Sequence, residues 1–146
     1  MPQENVLCAS TGSGPQLVRF TITHAELTDA DTSQTINLKT LPKGSVILAV
    51  RIKSDEAFTG GSVSACTVSV GSAAGSADDF ATAFDIYTTV ADTTFQMSSN
   101  WKAITYAEDT LQATFTSTTD NLVNLTAGIV FIDVYVWLMT TPDTYL

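Results

Sequence analysis

One histidine, His24, and two cysteines, Cys8 and Cys66, are all that the chain offers for nucleophilic chemistry beyond its serines and threonines. A serine or cysteine nucleophile needs a neighbouring base to take its proton. His24 stands at the end of a predicted strand, no Gly-x-Ser-x-Gly elbow accompanies it, and an ordinary strand-end imidazole accounts for it. Three adjacent acid pairs, Asp55-Glu56, Asp78-Asp79 and Glu108-Asp109, have the carboxylates a glycosidase uses. That chemistry requires two acids facing each other across a cleft, whereas neighbours on a turn face water. Asp29-x-Asp31-x-Ser33 opens like a calcium loop, but Gln34 holds the glycine position and Thr40 the position of the bidentate acid, which excludes an EF-hand. There is no Cys/His cluster for zinc, no phosphate loop and no dinucleotide glycine motif. The expectation is a protein that is not an enzyme and takes no metal or cofactor.

Two further sets of residues admit a functional and a plainer use. Trp101, Trp137, Tyr87 and Tyr106 could stack on a sugar, but aromatics inside strands more often pack a core or an interface. Cys8 and Cys66 could pair, but two cysteines in a chain of 146 residues without a secretion signal are expected as small buried hydrophobes or free thiols. Asn124-Leu125-Thr126 matches a glycosylation acceptor and, without export, is read as incidental.

Charge narrows the partners. Residues 1–53 carry five bases (Arg19, Lys39, Lys43, Arg51, Lys53) against four acids, giving +1; the remainder carries Lys102 against eleven acids, giving −10, for a net −9. An acidic surface repels phosphates, so no nucleic acid is expected, while the five early bases are candidates for docking on an acidic protein. The opening residues lack a basic region, and Val6 to Ala9 is too short for a signal-peptide core, so export by that route is not expected. No apolar segment has the length of a membrane span, and no membrane partner is expected.

The elements that would position these residues read as strands. Apolar residues make up 45% of the chain and charged ones 14%, with much Thr, Ser and Ala between them, a mixture suited to half-buried pleated surfaces. Residues 1–16, with the flexible run Ser10 to Pro15, read as an extended arm or a disordered tail, ahead of a domain over 17–146. Val18, Phe20 and Ile22 alternate with Arg19, Thr21 and Thr23, the period of a strand with one buried face. A short strand over Thr35 to Leu38 and a turn at Leu41-Pro42-Lys43-Gly44 follow. In the next strand Val46, Leu48, Val50 and Ile52 are expected inside, with Ala49, Arg51 and Lys53 opposite. Asp55 to Gly61 is read as a turn, Val63 to Val70 as a strand, and Ala77 to Phe80 as a single helical turn. Further strands are expected over Phe84 to Thr89, Thr93 to Met97, Trp101 to Tyr106 and Thr110 to Ser117. The last strand, Ile129 to Thr140, is apolar on both faces: Val130, Ile132, Val134, Val136 and Leu138 on one, Ile129, Phe131, Tyr135, Trp137 and Met139 on the other. Such a strand is expected to be covered twice, by its own core and by a second layer or subunit. About eight strands separated by Gly and Pro turns predict an all-β, single-domain antiparallel β-sandwich, jelly-roll-like, with an extended N-terminal arm.

The succession Ile36-Asn37-Leu38, Leu41 to Leu48, Val50 to Lys53, Glu56-Ala57-Phe58 and Val68-Ser69-Val70-Gly71, continuing through Ala74 to Phe84 and Leu125-Thr126-Ala127-Gly128, resembles small structural proteins of tailed bacteriophages over roughly residues 35–137. These motifs describe turns and strands rather than a site. The resemblance implies a head decoration, or cement, protein: a homotrimer on the outside of the capsid, made in the host cytoplasm, whose partner is the major capsid protein. On that reading Arg19, Lys39, Lys43, Arg51 and Lys53 dock on the shell, and Ile129, Phe131, Tyr135, Trp137 and Met139 join subunits. The alternative is a tail or head-fibre module for host recognition or carbohydrate binding, with Trp101 and Tyr106 stacking on a glycan.

Overall fold

The computed structural model describes residues 2–9, 14–87, 92–96, 102–103 and 108–138, with side chains over 15–87 and 108–137. Ten strands occur in it: β1 (Gln3–Ala9), β2 (Gly14–Thr23), β3 (Ser33–Leu41), β4 (Val46–Thr59), β5 (Ala65–Ser72), β6 (Ala81–Asp85), β7 (Asp92–Gln96), β8 (Lys102–Ala103), β9 (Asp109–Thr118) and β10 (Ala127–Leu138). Two 3-10 turns, His24–Glu26 and Leu122–Asn124, lead out of β2 and into β10.

Every pairing is antiparallel, in two sheets. The first runs β1-β2-β10-β4-β7, with β8 also on the outer edge of β4; the second runs β3-β9-β5-β6. β2 thus pairs with β10, β3 with β9, β4 with β7, and β5 with β6. A long two-stranded ribbon whose tip is the β5–β6 hairpin, rolled up so that successive stretches fall in alternate sheets, produces this order. It is the double Greek key of a jelly roll, an all-β sandwich as the strand pattern predicted. β7 meets Ala49 to Lys53 and β8 meets Val46 and Ile47, so these two share one edge in tandem.

The core lies between the sheets. β2 contributes Val18, Phe20 and Ile22, β4 contributes Ile47, Val50, Ile52 and Phe58, and β10 contributes Val130, Ile132, Val134 and Val136, all buried. Leu38, Leu41, Cys66, Val68, Val70, Leu111, Ala113 and Phe115 come from the facing sheet. Across the gap the Phe58 and Phe115 rings stand 6.0 Å apart, tilted by 37°. Each Val, Leu, Ile or Phe among them, fully removed from water, stabilises by about 1.5–3 kcal/mol before the entropy of ordering it is subtracted.

Three local expectations are corrected. On β4 the inward residues are Ile47, Val50 and Ile52, whereas Val46 and Leu48 are only half-buried. Tyr135 and Val136 on β10 face Ala49 and Ile47, which leaves Leu48 as the extra residue of a bulge, and the bulge reverses the alternation on its two sides. The stretch Asp55 to Gly61 is strand as far as Thr59, and the chain turns at Gly60-Gly61. Buried Phe58 holds this end of β4 in the sandwich, while Asp55 and Glu56 occupy its open side. No helical turn forms at Ala77 to Phe80; the Asp79 carboxylate accepts from the Ser76 backbone N–H at 2.9 Å and closes a tight turn instead. The stretch read as an arm is extended over Gln3–Ala9 and is laid along β2 of the same chain, with a bulge between Val6 and Cys8.

Candidate functional site

The polar residues singled out above serve the loops for the most part. Asp31 accepts from its neighbour Thr32 N–H at 2.7 Å, and the backbone carbonyls of Asp29 and Asp31 receive the N–H groups of Val123 and Leu122. The would-be calcium loop is therefore stitched to the turn before β10. Asp109 accepts from Ala74 N–H and Thr110 N–H, Asp78 from the Ser76 hydroxyl, and Asp55 pairs with Lys53 at 3.3 Å. Among the described residues no group of three or more His, Cys, Asp or Glu stands close enough to hold a metal ion. His24 opens the 3-10 turn after β2 with its Nδ1 buried and unpartnered. Cys66 is a free thiol in the core, pushed up to about 12 by burial and, secondarily, by the charge of Asp85, which makes it a poor nucleophile. Asp120 accepts from the backbone N–H of Ser62 and Asn121 and from the Asn124 amide. These bonds, that from Ser62 foremost, hold its carboxyl below the ordinary range. Asn124 of the glycosylation-like triplet is thereby engaged in closing this corner. Among the described residues no helix is long and apolar enough to cross a membrane.

The surface that gathers the remaining candidates is the outer face of the first sheet. Residues 129, 131, 133, 135 and 137 of β10 point away from the core, because their alternates Val130 to Val136 fill it. Register places Thr23, Thr21, Arg19, Leu17 and Pro15 of β2 beside them on one flank. Glu56, Lys53, Arg51, Ala49 and Val46 of β4 lie on the other. The face is therefore zoned. One end, around Pro15, Leu17, Val46, Ala49, Tyr135 and Trp137, carries no charge; the middle row is Arg19, Asp133 and Arg51; beyond it lie Phe131 and Lys53, then Ile129 and Glu56.

The middle row is held firmly. Arg19 grips Asp133 with two parallel bonds, Nε to Oδ1 at 2.7 Å and a terminal amine to Oδ2 at 2.8 Å, the geometry in which a guanidinium binds a carboxylate best. Asp133 is only 3% exposed, and Arg19 supplies the hydrogen-bonded partner that a buried carboxylate needs. The hydrogen bond to Asp133 likewise raises Arg19 above its ordinary value, against the opposing effect of burial. The guanidinium also lies over the Phe131 ring at 4.8 Å from its centroid, with Lys53 Nζ at 5.8 Å, so both cations share one aromatic ring.

Of the five docking candidates, Arg19, Arg51 and Lys53 come together on this face. Lys43 is exposed in the β3–β4 turn, and Lys39 lies on β3 in the opposite sheet. Of the interface candidates, Ile129 and Phe131 are half-buried, and Tyr135 and Trp137 are 46% and 43% exposed, so within one chain the outer side of β10 is left partly open. Met139, Trp101 and Tyr106 lie outside the described residues, and Tyr87 packs against the core. Sequence reasoning passed over Asp133, the residue at the centre of the face. Its signal was a lone acid amid an apolar strand, at a position in phase with Phe131 and Tyr135.

The fold is shared with chains of two phage capsids. One is in the cyanophage Pam1 capsid asymmetric unit, with a TM-score of 0.63 and 18% identity over 92% of both chains. The other is in the acid-stable capsid of Helicobacter pylori bacteriophage KHP30, with a TM-score of 0.53 and 17% identity over 92% of this chain and 93% of that one. No protein-family model and no curated protein matches the sequence. At such identities the likeness is one of fold, and the near-complete coverage in both directions means that each neighbour is itself a chain of nearly this size.

Proposed function

We propose that this chain is a non-enzymatic virion structural protein of a bacteriophage, specifically a decoration or cement protein that binds the outside of the assembled head as a homotrimer. The observation that carries this reading is the agreement, over 92% of this chain, between its jelly roll and chains of similar length in the Pam1 and KHP30 capsids. A sandwich of this size whose described loops are closed by their own side chains is suited to act through its faces. Its partner is the major capsid protein of the shell, and its place is the capsid surface. Stabilisation then follows by linkage: a ligand that binds the assembled lattice and not its free subunits lowers the free energy of the lattice alone.

Co-sedimentation of the purified protein with heads that lack it tests the reading. Saturable binding at a fixed ratio to shell subunits is the expected result. Absence of binding to intact heads, or equal binding to unassembled capsid subunits, overturns it.

A further inference from the structure

The two roles drawn from the sequence, joining subunits and docking on a shell, were assigned to separate sets of residues, yet the fold puts Arg19, Arg51 and Lys53 on the same sheet face as Phe131, Tyr135 and Trp137. Neighbouring side chains on one sheet face meet the same occupant. We propose that this face is a contact between copies of the chain, and that Arg19 and Arg51 belong to the subunit interface rather than to the shell-docking surface. The inference deepens the decoration-protein reading by assigning one of its two surfaces.

Three observations point to a second copy. The first is electrostatic. The chain carries −9, so two copies repel over most of their surfaces. On this face Arg19, Arg51 and Lys53 stand among Asp133, Asp55 and Glu56, with Asp92 of β7 in register beside Lys53, three positive charges against four negative. It is close to neutral within a chain of −9, and like copies approach there at little net Coulomb cost. An acidic partner would gain little from cations already matched in this way.

The second is composition. Trp, Tyr and Arg are the residues in which interface binding energy concentrates, and Tyr135 and Trp137, 46% and 43% exposed, stand two residues apart on one strand directly beyond the Arg19–Asp133 pair. Leu17, Pro15, Ala49 and Val46 frame them without a charge. The fixed guanidinium and carboxylate offer a second copy a pre-organised polar border to a dry centre.

The third is size. β2, β10 and β4 together span about 14 Å across and about 35 Å along the strands, roughly 500 Å² in projection. The flanking strands β1 and β7 widen the sheet toward the approximately 800 Å² that each partner contributes to a stable interface.

Light scattering on the full chain, with salt as the variable, tests the proposal. The expected wild-type mass is a multiple of the 15.5 kDa chain, and raising salt from about 0.05 M to about 0.5 M should strengthen association, because it screens the repulsion between acidic bodies. Trp137→Asp should reduce the mass to that of a monomer. Trp137→Ala, a milder change at an exposed site, should weaken association at least tenfold while the unfolding transition stays cooperative. A wild-type monomer, or a Trp137→Asp variant that keeps the wild-type mass, overturns the proposal. Association weakened by salt does so too, since copies would then be joining through oppositely charged patches and not through this near-neutral face. Co-sedimentation with heads reports separately on the decoration reading: an associating protein that ignores heads leaves this interface standing and removes that function.

Discussion

At the scale of single residues, the pair Arg19–Asp133 has the largest local consequence. Its members are unequally placed, the Asp133 side chain being 5% exposed and that of Arg19 29%. Removing the arginine strands a buried carboxylate, whereas removing the aspartate leaves a cation with access to water and to the Phe131 ring. Arg19→Met is therefore expected to cost about 3 kcal/mol, and Asp133→Asn about half as much, since the amide still accepts one bond. Urea unfolding of the two variants checks this order; equal losses would mean that Arg51, across β10, takes over the carboxylate. The alternation of Val18, Phe20 and Ile22 made the outward direction of Arg19 legible from the sequence. Its partner, 114 positions away, was not, because pairing depends on which strand lies beside β2.

At the scale of elements, strand type and rough extent were readable, and strand phase was not wherever a bulge intervenes. Val46 and Leu48 were assigned inward by strict alternation, but the extra residue at Leu48 moves Ile47 into the core. Alternation carries no marker of a bulge, which arises where two strands must match lengths and curvature. Likewise the acids of Asp55-Glu56 suggested a turn, because charge on an exposed strand face and charge on a loop look alike in one dimension. What fixes that end of β4 is Phe58, whose ring lies against Gly128 of β10. Gly128 has φ +142°, and a Cβ there would run into the Phe58 ring. Gly128→Ala is expected to destabilise by about 2–4 kcal/mol, the sum of backbone strain and overpacking. Urea unfolding gives the loss directly; a loss under about 0.5 kcal/mol, the range of an ordinary surface change, would show that the ring has room to move.

At the scale of the whole molecule, charge arranged by sequence did not translate into a charged side. The five early bases are divided between two sheets and a turn, and the three that converge do so among acids delivered by β4 and β10. For a decoration protein, the shell-level consequence is thermodynamic. If binding is confined to the assembled lattice, protein at about 100 times its dissociation constant adds about 2.7 kcal/mol per site, and each further tenfold adds about 1.4 kcal/mol. The melting temperature of heads lacking the protein is expected to rise steadily with the logarithm of added protein, as calorimetry would record; a rise that stops at stoichiometry would point to binding both states of the shell. The sequence by itself determined that the chain is all-β, which residues of β2 face inward, and that β10 carries apolar residues on both sides, since these follow from side-chain type at period 2. Only the tertiary structure decided the jelly-roll order, the bulged phase of β4 and the merging of two candidate surfaces into one face. Each depends on which distant strands lie side by side, and that is set by closing two sheets over a shared core rather than by any local preference.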